Sequence, residues 1–483
     1  MPARIPKARV AAPLLGVSLL FSTGLPAPLT AQARRPLSPS HWSYSLQEAL
    51  HALGVPGSEL LLVRALSGTA HLTLMEGVMG GARPADGSAL EGQGSDPDLQ
   101  RLLESWSNRL RTEVGPWNRR DGDPTATETG GELTSLGDGF LLDAEGGWSD
   151  DPVLPVPSRE GFARLLMAGE LGPQVTFWAN GEASGRRGQK VVQSAGIGVP
   201  VKGFDLLFGW VPLAMGQGTD PLLLNGRRPS AGAFLTSRDP FRLPGALEGL
   251  GPFRLHLGLS PFVSAPATPS AWLGSYALTW SPHPRLKLGA LRTTRFAGEG
   301  IEDFRLQDFL RMLVGQGKED SFDDSQGELA ARLSWNLLGQ PLATYLSLGF
   351  EDKTTLWRDP ALLLGVLLPR LRPEALYTLR YEFLAMGPRA RWCSACDRWE
   401  GELWYLHSAF GPYRLEGEPL GALLGGNGAA HTLRLEGWLT RAPIRGWLAF
   451  RHLSRDPLNA MLGPTPRPAG SPAALEGWTM LPQ

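Results

Sequence analysis

The sequence predicts an all-β fold, a transmembrane antiparallel β-barrel of about 16–18 strands with a small N-terminal helical region. Three features predict it: an N-terminal export signal, a two-residue alternation of polar and apolar residues, and no later apolar segment long enough to span a bilayer as a helix. Only helices and closed barrels satisfy their backbone groups in lipid, so a membrane protein without spanning helices must cross with strands.

The alternation is clearest in residues 328–337 and divides them into two sets. Glu328, Ala330, Arg332, Ser334 and Asn336 alternate with Leu329, Ala331, Leu333, Trp335 and Leu337. Successive side chains of a strand point to opposite faces, so this segment has one polar and one apolar wall. The same rhythm recurs in residues 204–210, 253–260, 275–281, 377–383 and 432–436. Clusters of Gly, Pro, Asp and Asn separate these runs as hairpin turns do.

A soluble, exported β-sandwich or β-helix would also alternate. Trp and Tyr recur near the predicted strand ends, as in the aromatic girdles of membrane barrels, which favours the barrel. A barrel of this size encloses a polar lumen rather than a packed core.

Residues 1–33 have the pattern of a cleavable signal peptide. Arg4, Lys7 and Arg9 precede an apolar stretch at residues 10–20, and Ala31-Gln32-Ala33 is a small-x-small cleavage pattern. The alternative is a retained anchor, but the apolar stretch is short for a span of roughly 20 residues. The sequence therefore predicts export to the outer membrane.

Residues 34–160 are expected to form a periplasmic region with helices, ahead of a barrel over residues 161–483. Ser45 and Glu48 fit a capping box before a helix that Gly54 ends. A second helix is predicted from Asp96 as its cap and Pro97 in its first turn. Its apolar face consists of Leu99, Leu102, Leu103, Trp106 and Leu110, and Gly115-Pro116 stops it.

One insertion departs from the alternation. Residues 302–314 have helical spacing and lead into an acidic run, Glu319, Asp320, Asp323 and Asp324. We expect a long loop with a helix at the barrel mouth. The acidic run is interpreted as a solvated loop, with a calcium site as the alternative.

Composition and motifs exclude several classes of function. The chain has 60 Gly, 42 Pro and 19% charged residues, and its 46 basic against 47 acidic residues give no general attraction to nucleic acid. Cys393 and Cys396 fit a small disulfide loop, with free thiols or a metal site as alternatives. No local catalytic motif occurs, so the sequence predicts a protein that is not an enzyme and needs no cofactor or metal. A rim-active enzyme whose residues meet only in space is the remaining alternative.

Two stretches carry motifs that resemble a known family. The first covers residues 209–259 and includes Leu222-Leu223-Leu224-Asn225-Gly226-Arg227-Arg228-Pro229, Asp239-Pro240-Phe241-Arg242-Leu243-Pro244 and Leu250-Gly251-Pro252-Phe253-Arg254. The second runs from Tyr405-Leu406-His407 to Gly411-Pro412-Tyr413 and on to Leu424-Gly425-Gly426-Asn427-Gly428. Both resemble the Wzi-type capsule assembly proteins, and the resemblance covers residues 170–455 in order.

The resemblance implies an outer-membrane barrel that acts as a surface lectin and retains capsular or extracellular polysaccharide. Its expected partners are this polysaccharide and outer-membrane lipid, and it is expected to be a monomer. The alternative function is a passive outer-membrane porin or uptake channel.

Candidate site residues follow from the two motifs. Arg227, Arg228, Arg238, His407 and Tyr413 can hydrogen-bond to or stack on an anionic sugar, since Arg binds carboxylates in a bidentate fork. The alternative is that these charges only line the lumen wall. A second set of residues, Gly417, Gly421, Gly425 and Gly428, suits a tight extracellular loop, or serves only as turn residues.

Overall fold

A computed structural model describes the barrel and parts of the N-terminal region. The described residues are 42–53, 55, 62–64, 97–114, 134–135, 140–150, 159–170, 175–184, 190–226, 228–262, 270–298, 323–351, 361–387, 404–407, 411–415, 418–422, 424–426, 428–441, 445–455 and 474–476. Residues 1–33, residues 302–314, Cys393 and Cys396 lie outside them, so the predictions made for these positions stay predictions.

Of the seventeen barrel strands in the described residues, the first has only two residues, Thr134–Ser135, and sixteen follow it. They are β1 (Phe140–Asp150), β2 (Arg159–Glu170), β3 (Thr176–Ser184), β4 (Lys190–Val201), β5 (Phe204–Val211), β6 (Ser230–Ser237), β7 (Phe253–Phe262), β8 (Ala271–His283), β9 (Leu286–Phe296), β10 (Asp323–Leu337), β11 (Gln340–Glu351), β12 (Ala361–Leu371), β13 (Ala375–Met386), β14 (Gly428–Leu439), β15 (Arg445–Arg455) and β16 (Ala474–Glu476). Each pairs antiparallel with the next along the chain, from β1 to the short β16.

The connections differ between the two ends of this barrel. At one end the strands are joined by short turns, such as residues 202–203 and 338–339. At the other end the connections are long, as between β5 and β6 or between β13 and β14. We call these the short-turn end and the long-loop end. Barrels of outer membranes have short periplasmic turns and longer extracellular loops.

The predicted alternation of β10 is confirmed. Glu328, Arg332 and Ser334 are buried inside the barrel, whereas Leu329 and Leu333 are 41% and 44% exposed on its outer wall. Arg332 is held there by Glu48 of the N-terminal region, 3.9 Å away. The apolar wall therefore faces outward.

Around the described sheet, apolar side chains lie on the outer wall and polar ones lie inside, which is the reverse of a soluble fold. The outer wall exposes large apolar and aromatic side chains, among them Phe208, Trp210, Leu259, Trp272, Leu278, Leu379, Tyr381, Leu433 and Leu435. The interior buries polar ones, among them Thr293, Gln326, Ser347, Thr378, Glu382 and Glu436. Soluble proteins expose few contiguous apolar surfaces of this extent, so the prediction of a transmembrane barrel is confirmed.

Two helices precede the barrel. Helix α2 (Pro97–Val114) begins and ends where the sequence predicts, and its five predicted apolar residues are buried. Helix α1 (Trp42–Ala52) begins before Ser45, so the predicted capping box is wrong. Ser45 lies within the helix, and Glu48 is buried among arginines instead of capping the first turn. Neither described helix is long and apolar enough to cross a bilayer.

Both helices lie at the short-turn end. They share an apolar cluster with Leu376 and Trp438, which lie directly opposite each other where β13 begins and β14 ends. The indole Nε1 of Trp106 donates a hydrogen bond of 3.1 Å to the carbonyl of Leu439. Ala52 packs against Ala343 and Leu367, inside the wall formed by β11 and β12. Helix α1 thus enters the lumen from this end.

Two further features differ from the sequence expectations. Strands β1 and β2 begin at residues 140 and 159, ahead of residue 161, where the sequence placed the start of the barrel. Asp324, expected in a solvated loop, lies near the start of β10, is buried and forms an ion pair with Arg295 of β9. The pair forms because β9 and β10 align these two residues directly opposite each other.

Candidate functional site at the long-loop end

Two connections at the long-loop end fold back into the barrel and pack on each other. The first joins β5 to β6 and is described over residues 212–226 and 228–229. The second lies between β13 and β14 and is described over residues 404–407, 411–415, 418–422 and 424–426. We call these two segments together the loop floor. They contain residues 222–226 and 228–229 of the first family-like motif and most of the described part of the second.

Tyr405 joins the two segments of the loop floor. Its hydroxyl donates a hydrogen bond to the carbonyl of Leu222 and accepts one of 3.0 Å from the amide of Ala422. Beside it, the amide and side-chain nitrogens of Asn225 donate to the carbonyls of Leu420 and Gly421, at 2.6 and 2.8 Å. A Cβ atom at position 421 would lie 2.4 Å from the Tyr405 hydroxyl, so this close approach requires glycine.

Tyr413 anchors the loop floor to the barrel wall. Its ring stacks on that of Tyr405, with centroids 5.5 Å apart. Its hydroxyl donates a 2.8 Å hydrogen bond to Oγ1 of Thr293 on β9, and the guanidinium of Arg295 lies 5.3 Å from its ring centroid. Burial raises the pKa of both tyrosines above the ordinary value. Both hydroxyls therefore stay protonated and act as hydrogen-bond donors.

The first segment of the loop floor crosses the lumen and binds the opposite walls. The side-chain amide of Gln217 donates a 2.9 Å hydrogen bond to a β11 carbonyl. The amide and hydroxyl of Thr219 both donate to Glu382 of β13, and Asp220 forms an ion pair with Arg451 of β15. These bonds hold the segment between strands from β10 to β15.

Helix α1 is bound inside the lumen, near the other end, through one carboxylate. Glu48 is buried and forms ion pairs with Arg64 at 3.2 Å, with Arg332 at 3.9 Å and with Arg380. Burial alone raises the pKa of Glu48, but the three guanidinium groups outweigh it and lower the pKa from 4.5 to about 2. Glu48 is therefore ionised and ties the helix to β10 and β13.

The structure separates the residues that the sequence proposed as one site. Arg228 is half-buried on the loop floor, and Tyr413, 1% exposed, lies beneath its surface. Arg238 lies at the opposite, short-turn end, 3.6 Å from Asp205 in an ion pair. His407 pairs with Gly411 in a two-residue ladder of the loop floor, and its side chain lies outside the described part, as does Arg227.

Three of the four predicted loop glycines lie in or beside the loop floor. Gly425 and Gly428 have φ values of 80° and 148°, which favour glycine, and Gly421 packs against Tyr405 as described above. Gly417 lies outside the described residues. The tight-loop prediction therefore agrees with the geometry at these three positions, and their part in ligand binding stays a prediction.

Sequence reasoning missed two important residues. Glu48 interrupts the apolar face of α1, and a charged residue at such a position indicates a buried partner. Because Glu48 also fits a capping box, it was assigned to the cap. Arg414 is half-buried on the loop floor, one residue after Tyr413. No pattern in the sequence distinguishes it from a turn residue. Among the described residues, no group of three His, Cys, Asp or Glu side chains is placed to hold a metal ion.

Comparison with solved structures agrees with this architecture. Wzi of Escherichia coli, an outer-membrane protein involved in group 1 capsule assembly and a carbohydrate-binding β-barrel, superposes with a TM-score of 0.62 at 16% identity, over 86% of each chain. OccK5 (OpdH) of Pseudomonas aeruginosa gives a TM-score of 0.36 at 10% identity, over 70% of this chain and 82% of its own. OmpT of Vibrio cholerae gives 0.34 at 9%, over 67% and 89%.

Comparison with protein families is more specific. No curated protein sequence matches the chain. The sequence profile of the family described as capsule assembly protein Wzi matches residues 156–455, which include β2 to β15 and both segments of the loop floor. This match covers more than half of the chain. The chain therefore belongs to the Wzi capsule assembly protein family.

Proposed function

We propose that this chain is an outer-membrane β-barrel that binds capsular or extracellular polysaccharide at the cell surface during its assembly, and that it catalyses no reaction. The observation that carries the proposal is the loop floor. The family motifs in the two segments of the loop floor fold into one cross-bonded layer across the long-loop end, instead of lining an open passage. Long loops of outer-membrane barrels face the cell exterior, where such a layer meets polysaccharide.

The chemistry of the loop floor suits an acidic sugar. Arg228 and Arg414 are half-buried on it, and a guanidinium binds a sugar carboxylate through two parallel hydrogen bonds. In this proposal Tyr405 and Tyr413 hold the layer rigid below the ligand and do not contact it. The layer is built from a single barrel, so the proposal requires only a monomer.

The same geometry favours a lectin over a passive porin. The segment of residues 212–226 crosses the lumen from above, and α1 enters it from below. A porin of this size keeps a water-filled lumen. A passive porin that lets solutes through an open channel is therefore the less suitable function.

Glycan binding by arginine variants tests the proposal. We expect the purified, folded barrel to retain polysaccharide from its own strain. Arg228→Gln and Arg414→Gln should each weaken this binding roughly tenfold, because a hydrogen bond to a charged group contributes about 1.5–3 kcal/mol. Immobilised polysaccharide and a binding isotherm provide the measurement.

Arg238→Gln is the matched control, because Arg238 lies at the opposite end of the barrel. It should change the affinity less than twofold. Wild-type protein that ignores its own strain's polysaccharide would contradict the proposal, and so would equal losses in all three variants.

A further inference from the structure

A row of stacked aromatic side chains marks the outer wall at the short-turn end. Phe204 of β5 lies 6.0 Å from Phe241, measured between ring centroids, and Phe241 lies 6.1 Å from Phe253 of β7. Phe253 stacks on Trp280 of β8 at 6.0 Å, with the ring planes 4° apart. Aromatic rings of this kind sit at the level of lipid headgroups in membrane proteins.

The connection between β6 and β7 lies against this row as a fixed shelf. We call residues 238–252 the interfacial shelf. The amide of Arg238 donates a 2.8 Å hydrogen bond to the carbonyl of Gly203, and the amide of Ser281 donates a 3.0 Å bond to Pro252. The indole of Trp280 donates a 2.7 Å bond to the carbonyl of Leu250. The shelf is thus tied to the turns on both sides of it.

The shelf presents apolar side chains outward. It contains a 3₁₀ helix, Gly245–Leu250, whose residues include none that is buried. Leu247 and Leu250 of this helix are 51% and 40% exposed. Exposed leucines directly beside an aromatic row are expected where a surface meets acyl chains.

Cationic side chains border this apolar surface. Lys202, Arg242 and Arg285 lie on three successive connections of the short-turn end, on and beside the shelf. Lys202 and Arg242 are exposed and Arg285 is half-buried; further round the same end, Arg370, Arg372 and Arg441 are exposed. The exposed acidic residues on these described connections are fewer, namely Asp239, Glu248 and Glu374. The rim therefore has a surplus of positive charge.

We propose that the short-turn end binds anionic glycerophospholipids at the interfacial shelf. Lys202, Arg242 and Arg285 hold the phosphate group, while an acyl chain lies on the aromatic row and on Leu247 and Leu250. The occupant is a lipid and not an acidic protein, because the charges border a wall that faces hydrocarbon. A molecule bound at the interfacial shelf therefore needs an anionic head group joined to an apolar tail.

Lipid selectivity of the full-length barrel tests this proposal. The protein is reconstituted in phosphatidylcholine vesicles, and the association of spin-labelled phosphatidylglycerol is compared with that of spin-labelled phosphatidylcholine. Wild type should prefer phosphatidylglycerol. Arg242→Gln and Arg285→Gln should each lower the preference by up to about fivefold, the contribution of one basic side chain near an anionic surface. Arg101→Gln on α2, 49% exposed and outside the barrel wall, is the charge-matched control and should leave it unchanged.

A second measurement needs no variant. Raising the salt from 0.1 M to 1 M shortens the screening length from about 10 Å to about 3 Å, so the wild-type preference should fall. The proposal would be overturned if salt left the preference for phosphatidylglycerol unchanged. It would also be overturned if Arg242→Gln, Arg285→Gln and Arg101→Gln lowered this preference equally. Neither readout involves polysaccharide, so this inference stands or fails independently of the proposed function.

Discussion

A single carboxylate, Glu48, decides how helix α1 sits in the barrel. It is the shared partner of Arg64, Arg332 and Arg380, which come from three separate segments of the chain. Removing one member of a buried ion pair costs about 3–5 kcal/mol, because the remaining charges are left without compensation. The helix is therefore held by charge as well as by its apolar face.

Replacing this carboxylate should free helix α1 from the lumen. We expect a protease to cleave residues 42–53 of the folded Glu48→Gln barrel much faster than those of wild type, because the helix loses its ion pairs with the barrel wall. The control is Glu104→Gln, whose carboxylate is exposed on α2 and accepts a 3.0 Å hydrogen bond from Gln100. This control should be cleaved at the wild-type rate. A Glu48→Gln barrel that resists the protease as wild type does would refute the role of Glu48 in holding the helix.

The pKa of Glu48 gives the same prediction a pH dependence. Because its pKa is lowered in the folded state, the contribution of the carboxylate to docking is complete above its ordinary value of 4.5 and declines toward about 2. Helix α1 of wild type should thus become cleavable by an acid protease as the pH falls through this window, and the Glu48→Gln barrel should lack this transition. Wild-type resistance at the acidic end of the window would contradict the assignment.

Individual site residues were only partly predictable from the sequence. Tyr413 stood out in its motif, but its burial depends on Thr293 and Arg295, more than a hundred residues earlier. Arg238 looked like a partner of Arg228 because only nine positions separate them. Strand β6 runs between the two and carries them to opposite ends of the barrel. Whether two residues share a site depends on the end of the strand at which each lies. Their spacing in the sequence alone does not show this.

At the scale of the element, strands were predictable because their two walls face different solvents. In β10 each polar residue from Glu328 to Ser334 meets the lumen and each leucine meets the outside. Helix α2 was equally clear, since its apolar face and its first-turn proline agree. The start of α1 was missed because Ser43 and Tyr44, which precede Ser45, are already helical and buried.

A charge placed on the outer wall tests the orientation of β10. Leu329→Arg should destabilise the folded barrel by about 2–4 kcal/mol, the cost of an arginine facing lipid near the midplane. Leu338→Arg is the control, because Leu338 is 94% exposed at the tip of the turn after β10. This change near the interface should cost about 0–1 kcal/mol. Urea unfolding in lipid vesicles measures both, and equal costs would refute the proposed orientation.

At the scale of the whole molecule, contacts between distant segments hold the N-terminal helices against the barrel. Trp106 bonds to Leu439 across 333 positions, and Arg445 reaches Ser45 across 400. A sequence gives no direct signal for such pairs, so the helical region and the class of barrel were predictable whereas the docking of the helices was not. Their docking, together with the loop floor, distinguishes this barrel from an open pore.

In the proposed function, the barrel presents a fixed surface to polysaccharide and lets little pass. The proposed role is therefore to retain polysaccharide and not to synthesise it. A strain that lacks this chain should still make polysaccharide but should fail to hold it on the cell.

The most direct test is the ratio of cell-bound to released polysaccharide in a deletion strain. The account predicts that the cell-bound fraction falls, that the released fraction rises, that the total stays constant, and that the wild-type gene restores the ratio. An unchanged cell-bound fraction in the deletion strain would contradict the central claim.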